Sequence, residues 1–188
     1  TITDGSFATG EGLTSATFAA ASAITNVGSV ANTITGVTPK AGTQENDYAF
    51  TYKAGTLTIT NATFSVTLTG GSWTYNGGAH SATLTGTQSS DTIEYRTSTN
   101  GGTTWSTWSS TKPSVTHVSD GPMQVEVKVS RANYNDATAS ATLTITKQAI
   151  ELTADSGSWT YDASEHTKPS YTITDGSFAT GEGLTSAT

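Results

Sequence analysis

Cysteine is absent from the sequence. The chain can therefore form no disulfide bond, no thiolate metal site and no thiol nucleophile. The helix-forming residues leucine, lysine and glutamate are also scarce, whereas threonine makes up roughly a fifth of the 188 residues and glycine accounts for 19. Because threonine favours extended backbone, this composition indicates an all-β protein.

Basic residues are few: 8 Lys and Arg stand against 15 Asp and Glu, which gives a formal net charge of -7. Nucleic-acid phosphates and anionic membranes bind surfaces that are rich in Lys and Arg. We therefore expect neither nucleic acid nor membrane insertion. The acidic excess is expected to keep a long exposed chain soluble and to discourage its copies from sticking together.

Polar and apolar residues alternate with a period of two in several segments, which is the pattern of half-buried strands. In MQVEVKV, Met123, Val125, Val127 and Val129 fall on one face, and the polar residues fall on the other. Similar runs are FSVTLTG (64–70), SATLTGT (81–87), DTIEYRT (91–97) and ATLTITK (141–147).

Turn sequences separate these runs. Asn-Gly-Gly occurs at 76–78 and at 100–102, and Asn-Gly supplies the positive φ angles that tight hairpins need. Strands about ten residues apart with such turns predict a sandwich of two antiparallel sheets. One segment, TSATFAAASAIT at 14–25, is rich in alanine and favours one or two helical turns instead.

The string TITDGSFATGEGLTSAT occurs twice, at 1–17 and at 172–188, which gives a repeat period of 171 residues. An identity of this length indicates successive units of one tandem array, and we expect the chain to be a window from that array. A second spacing, of 86 residues, relates GSWTYN at 71–76 to GSWTYD at 157–162 and also relates the two copies of TLTIT.

The two spacings predict that each 171-residue unit holds two related modules of about 85 residues. The complete module is expected at 61–147. The other module is split: residues 1–60 form its later part, and residues 148–188 form the first part of the next copy.

Several strings resemble the bacterial surface-adhesin repeats of the MBG and YDG type, namely GSWTYNGGAH, GSWTYDASEH and ANYNDATASATLTI. In that family the opening motif reads Thr-Tyr-Asp-Gly with a nearby His; TYNG at 74–77 and TYDA at 160–163 each depart from it by one residue. The resemblance implies tandem Ig-like β-sandwich modules in an elongated extracellular rod, with no catalytic residue and no cofactor.

Four tryptophans are candidate ligand-binding or packing residues. Trp105 and Trp108 are three positions apart, so on a regular strand they would face opposite sides and only one could enter the core. The other would be free to stack on a sugar. Trp73 and Trp159 recur at equivalent places, which favours a core or edge role. The string STNGGTTW at 98–105 resembles the Asp-box hairpin and predicts a turn with Trp105 packed beside it.

Metal binding is not expected. His80 and His166 are equivalent in the two modules, but a lone histidine near a turn usually makes a hydrogen bond to the backbone. Acidic residues near the module ends match no calcium-binding loop; they are Asp136, Glu151, Asp155 and Asp162.

The sequence thus predicts a stalk that spaces an adhesive domain from a bacterial cell, with neighbouring repeats of the same protein as head-to-tail partners and attachment to the cell wall. We also expect the tail of one molecule to complete the split module of the next by strand donation. The alternative function is weak binding of a glycan or host protein by each module, amplified by avidity.

Overall fold

Extended backbone accounts for almost all of the regular structure. The computed structural model describes residues 2–184, and within this range it contains twelve strands and two three-residue 3-10 helices. The predicted all-β character is confirmed. Thr1 and residues 185–188, which belong to the two copies of the repeated string, lie outside the described residues. Across residues 2–184, no helix has the length and apolar character needed to cross a bilayer.

The chain divides into two compact units. The first comprises the residues up to Ala62 together with Asn133–Asn135, and the second comprises Thr63–Ala132 together with the residues from Asp136 onward. The first boundary lies close to the predicted module boundary at 60. Residues 148–184 fall in the second unit, and the division into one complete and two partial modules stays a prediction.

The first unit contains two separate antiparallel sheets of two strands each. Its strands are β1 (Leu13–Phe18), β2 (Gly28–Asn32), β3 (Ile34–Pro39) and β4 (Gly55–Ile59). β1 pairs with β3, and β2 pairs with β4 so that Val30 lies opposite Leu57.

The alanine-rich segment 14–25 forms no helix, so the prediction of helical turns there is wrong. Its first residues belong to β1, and a turn follows in which the Ser22 amide donates to the Ala19 carbonyl at 2.8 Å. The Ser22 hydroxyl accepts a hydrogen bond from the Thr33 amide at 2.8 Å. A short alanine run has only a weak preference for helix, and pairing with β3 overrides it.

The first unit has no fully buried side chain among its described residues, because every buried residue of the chain lies between positions 68 and 145. Leu57 and Ile59 on β4 are only half-buried. An aromatic cluster provides part of the packing, and in it the ring centroids of Phe7 and Tyr48 are 4.8 Å apart. The first unit therefore holds little of the apolar burial that stabilises folded domains.

The second unit contains eight strands among its described residues. They are β5 (Thr67–Thr69), β6 (Gly71–Thr74), β7 (Thr83–Thr85), β8 (Thr92–Ser98), β9 (Met123–Ser130), β10 (Ala137–Thr146), β11 (Glu151–Ala154) and β12 (Tyr171–Asp175). A four-stranded sheet has the order β6-β10-β9-β8, in which β6 runs parallel to β10 and the other pairs are antiparallel. β5 pairs with β7, and β11 pairs with β12.

The core of the second unit lies between the four-stranded sheet and the β5–β7 pair. On β9, Val125, Val127 and Val129 are buried, while the alternate residues are partly exposed, as the period of two predicts. Leu143 of β10 and Leu68 of β5 belong to the same apolar cluster. Two sheets that share one core are consistent with a β-sandwich.

A buried ion pair joins the segment after β7 to the residue after β9. The Asp91 side chain is 0% exposed and that of Arg131 is 13% exposed. Nε and Nη2 of Arg131 donate to the two carboxylate oxygens of Asp91 at 2.8 Å each. The guanidinium carbon also lies 4.1 Å from the centroid of the Phe64 ring. The hydrogen bonds from Arg131, together with one from the Gln88 amide, lower the pKa of Asp91 to about 2.

The lowered pKa predicts a loss of stability in acid. Because the folded-state pKa of Asp91 lies below its ordinary value of 3.8, its contribution is complete above about pH 4 and is lost as the pH falls toward 2. Urea unfolding, followed by tryptophan fluorescence at a series of pH values, measures this loss. Asp91→Asn should lower the unfolding midpoint at pH 7 and flatten the curve between pH 4 and 2.

Asp120 also has a lowered pKa, because it accepts hydrogen bonds from the His117 and Thr116 amides. The relevant quantity is therefore the difference between the wild-type and Asp91→Asn curves. Asp136→Asn, at an exposed position, is the matched control. A variant curve that stays parallel to the wild type from pH 7 to pH 2 would contradict the prediction.

Candidate binding surface

A tight turn follows β8 and positions the first of the two central tryptophans. The Asn100 carboxamide oxygen accepts from the Thr104 amide at 2.9 Å, and its nitrogen donates to the Thr104 hydroxyl at 2.7 Å. Gly102 adopts a φ of 85°, a conformation that glycine reaches without strain. A Cβ atom at Gly102 would lie 3.6 Å from the ring of Trp105. The hairpin indicated by STNGGTTW is therefore present, with Trp105 beside it.

The segment 105–109 runs beside β8 with one extra residue. The Ser106 amide donates to the Thr97 carbonyl at 2.9 Å, and the backbones of Ser109 and Tyr95 exchange hydrogen bonds of 2.7 and 2.9 Å. Three steps along this segment thus match two steps along β8, which is the irregularity of a β-bulge. The extra residue interrupts the alternation of side chains.

Both tryptophans pack against one arginine. The guanidinium carbon of Arg96 lies 4.9 Å from the ring centroid of Trp105 and 4.6 Å from that of Trp108. The expectation that the two rings face opposite sides, with only one available to the core, is wrong because the bulge breaks the regular strand. Neither ring belongs to the apolar core cluster, and both are half-buried.

The charges around these rings are paired. Nε of Arg96 donates to Glu126 at 2.6 Å, and Nζ of Lys128 lies 2.6 Å from Glu94. Lys128 also lies 4.8 Å from the ring centroid of Trp108. We name this set of residues the tryptophan–arginine cluster: Glu94, Arg96, Trp105, Trp108, Glu126 and Lys128.

The tryptophan–arginine cluster resembles internal packing more than an open sugar platform. A sugar stacks on an exposed aromatic face, and here cations already lie over both rings. Each cation–π contact stabilises by about 0.5–1 kcal/mol at partly exposed sites, and each surface ion pair contributes about 1 kcal/mol or less. The cluster therefore stiffens the outer face of β8 and β9.

Sequence reasoning missed the two cations of this cluster. Arg96 and Lys128 occupy outward positions on predicted strands, and nothing in the sequence says which residue lies opposite. The register of β8 on β9 places Glu94 opposite Lys128 and Arg96 opposite Glu126. Cross-strand pairs of opposite charge stabilise this register, but they can be recognised only once the register is known.

The tryptophan and the histidine of the GSWTY motif make the same contact in both of its copies. The rings of Trp73 and His80 stack with centroids 4.7 Å apart, and those of Trp159 and His166 stack at 5.0 Å. In each copy the histidine Nε2 is hydrogen-bonded to the residue four positions earlier, Asn76 at 3.2 Å and Asp162 at 2.8 Å. The imidazole Nε2 atoms of the two histidines are therefore hydrogen-bonded to side chains.

The glycine two residues before each tryptophan leaves room for the indole ring. A Cβ at Gly71 would lie 2.8 Å from the ring of Trp73, and one at Gly157 would lie 2.1 Å from the ring of Trp159. Despite this shared geometry, Trp73 packs against the core, whereas Trp159 is 50% exposed.

The acidic residues near the module ends have separate partners. Asp155 accepts a hydrogen bond from Thr172 at 3.0 Å, and Glu151 accepts one from Thr174 at 2.8 Å. Hydrogen bonds from Ser170 and Thr172 lower the pKa of Asp155. Among residues 2–184, no three His, Asp or Glu side chains are grouped so that they could hold a metal ion.

In comparisons with known proteins, no family model, no curated protein and no solved structure matches this chain.

Proposed function

We propose that the chain is a stalk repeat of a large bacterial cell-surface adhesin of the MBG and YDG type. It lies outside the cell, is attached to the cell wall and spaces an adhesive domain from the cell surface. Its Ig-like β-sandwich modules of about 85 residues form an elongated rod, with neighbouring repeats of the same protein as head-to-tail partners. The proposal includes no catalytic activity and no cofactor.

The observation that carries the proposal is the recurrence of strand pairs along the chain. The two copies of TLTIT, which are 86 residues apart, both pair antiparallel with a preceding strand, so that Leu57 lies opposite Val30 and Leu143 lies opposite Met123. The pair β11–β12 flanks the second GSWT string as β5–β7 flanks the first. Repeated units of this kind gain stability from each unit and from its neighbours, which suits a structure whose function is length.

The length of arrays of the repeat tests the proposed stalk. A strand of ten residues, such as β10, spans roughly 35 Å, so each module should add a fixed increment to a rod. Arrays of one, two and four copies of the 171-residue repeat are compared by small-angle X-ray scattering. Going from two to four copies should about double the maximum dimension, whereas a compact globule would grow only about 1.3-fold.

Arrays with a long Gly/Ser linker between repeats are the control, because freely jointed units grow only about 1.4-fold on doubling. Native arrays that grow no faster than this control would contradict the rod.

The alternative function, weak binding of glycans or host proteins, has less support because cations cover the rings of Trp105 and Trp108. It is decided by presenting the whole chain, as a monomer and as a tetramer, to arrays of glycans and of host surface proteins. The stalk proposal expects no binding in either form. Binding by the tetramer that is lost in Trp105→Ala and Trp108→Ala would favour the alternative.

A further inference from the structure

One string of five residues occurs in two different surroundings. TLTIT occupies 56–60, of which 56–59 belong to β4, and 142–146 at the end of β10. On β10, Leu143 is 0% exposed and Ile145 is 3% exposed. On β4, the equivalent residues Leu57 and Ile59 remain half-buried. Because the string is the same, the difference comes from the residues around it.

β6 provides one part of the cover on β10. It pairs parallel to β10 with Leu143 opposite Gly71 and Ile145 opposite Trp73. The Tyr75 amide then donates to the Thr146 carbonyl at 2.8 Å. Leu68 of the neighbouring β5 completes the cover, because it belongs to the same apolar cluster as Leu143 and Ile145.

The covering elements recur later in the chain, where their apolar side chains are exposed. The GSWT string of β6 recurs at 157–160, where the backbone forms no strand. Trp159 and Tyr161 of this copy are 50% and 91% exposed. On the adjoining β11–β12 pair, Leu152 and Ile173 are 46% and 39% exposed.

One edge of β4 is not paired with another described strand. Among the described residues it pairs only with β2, whereas its counterpart β10 pairs on both edges. An exposed strand edge is a template for a further strand.

We propose that residues 148–184 of one molecule dock on the first unit of a second copy and complete its split module. The GSWT string at 157–160 adds to β4 as a parallel strand, in the register that β6 keeps on β10. Gly157 lies opposite Leu57, Ser158 opposite Thr58 and Trp159 opposite Ile59. The β11–β12 pair then covers the apolar face of β4, as β5–β7 covers that of β10.

The segment that pairs with β4 is identified because its GSWT string is identical to that of β6. The four residues of GSWT pair with the last four residues of TLTIT inside the second unit, and both strings recur, without pairing with each other, elsewhere in the chain. Pairing them covers Trp159, Leu152 and Ile173 on one molecule and Leu57 and Ile59 on the other. The burial of this apolar surface and the new ladder of hydrogen bonds drive the association.

In this contact, residues 148–184 are the donor segment and the first unit of the second copy is the receiver. Both carry residues of the duplicated string. The donor carries its own copy from 172 onward, which includes most of β12, so residues 2–5 of the receiver are not needed for docking. The donor segment and the receiver unit are different parts of the chain, and contacts of this head-to-tail kind extend into open chains unless they close into a ring.

Paired cysteines test the contact and its register, and the natural absence of cysteine makes the result unambiguous. Thr58→Cys and Ser158→Cys are introduced into the same chain. Residues opposite each other on neighbouring strands lie about 5 Å apart, which suits a disulfide. Under mild oxidation this variant should give a ladder of disulfide-linked dimers and larger species on a non-reducing gel, and mass spectrometry should identify the linkage between positions 58 and 158.

Two matched variants complete the experiment. Ser72→Cys with Thr144→Cys places the same pair inside the second unit, where the residues are opposite each other, and should form a disulfide within one monomer. Thr56→Cys with Ser158→Cys is two residues out of register and should give at least about tenfold less linked product.

A 58–158 disulfide confined to monomers would overturn the proposal, because one chain would then complete its own module. Equal yields from the in-register and out-of-register pairs would overturn the register. Failure of the 58–158 pair to link under conditions where the 72–144 pair oxidises fully would overturn the contact itself. None of these results depends on the stalk function, since a protein with another function could still assemble in this way.

Discussion

Replacing Leu143 with alanine should destabilise the second unit by about 2–5 kcal/mol, whereas the same replacement at Leu57 should lower the stability of the first unit by about 1 kcal/mol or less. The two leucines occupy the same place in the two copies of TLTIT. Leu143 is fully buried, so its removal leaves a cavity lined by well-packed neighbours. Leu57 is only half-buried, so less apolar contact is lost.

Amide hydrogen exchange measures both effects in the same molecule. The Leu143→Ala variant should lose protection throughout β9 and β10, while Leu57→Ala should affect only β2 and β4. Thr142→Ala, at an exposed position of β10, is the control and should change the free energy of unfolding by no more than about 0.5 kcal/mol. Measurements in dilute protein keep association between copies from adding to the effect at Leu57.

Equal losses at the two leucines in dilute solution would show that Leu57 is as well covered as Leu143. That result would contradict both the difference in burial and the prediction that the first unit is part of a split module.

Separating the chain into fragments should give an all-or-none difference in folding. Residues 61–147 contain every fully buried residue described in the protein, and we expect this fragment to melt in a single cooperative transition. Residues 1–60 contain none of them and should show no cooperative transition as an isolated fragment. Small domains need most of their apolar surface covered before the entropy of the chain is overcome.

Far-UV circular dichroism during thermal melting, supported by calorimetry, compares the two fragments. Val127→Ala in the 61–147 fragment is the internal control: it should keep the cooperative transition but lower its midpoint, because Val127 is 0% exposed. A coil spectrum or a gradual melt for residues 61–147 would show that the core needs residues outside this range.

Strands with strict alternation were predictable because their signal is local. In β9 every second residue is apolar, and a strand points successive side chains to opposite faces, so the burial of Val125, Val127 and Val129 follows from the sequence. The turn at Asn100 was predictable for the same reason, since its hydrogen bonds join residues only four apart.

The candidate site was only partly predictable. Trp105 and Trp108 stood out by residue type, but their common side depends on one extra residue in the segment beside β8. A bulge is defined by the hydrogen bonds to its partner strand, and no feature of the segment alone reveals it. Arg96 became part of the site only once the register between β8 and β9 was known.

The sequence by itself determined the β character, the strand faces, the turn at Asn100 and the repetition, because each depends on neighbouring residues or on identity along the chain. Tertiary structure alone decided three features. β6 runs parallel to β10, only Trp73 of the two GSWT tryptophans packs on the core, and the apolar residues of TLTIT are buried in one copy and half-buried in the other. The physical reason is that a strand satisfies its hydrogen bonds and covers its apolar face with partners distant in sequence, so identical strings have different structures when their partners differ.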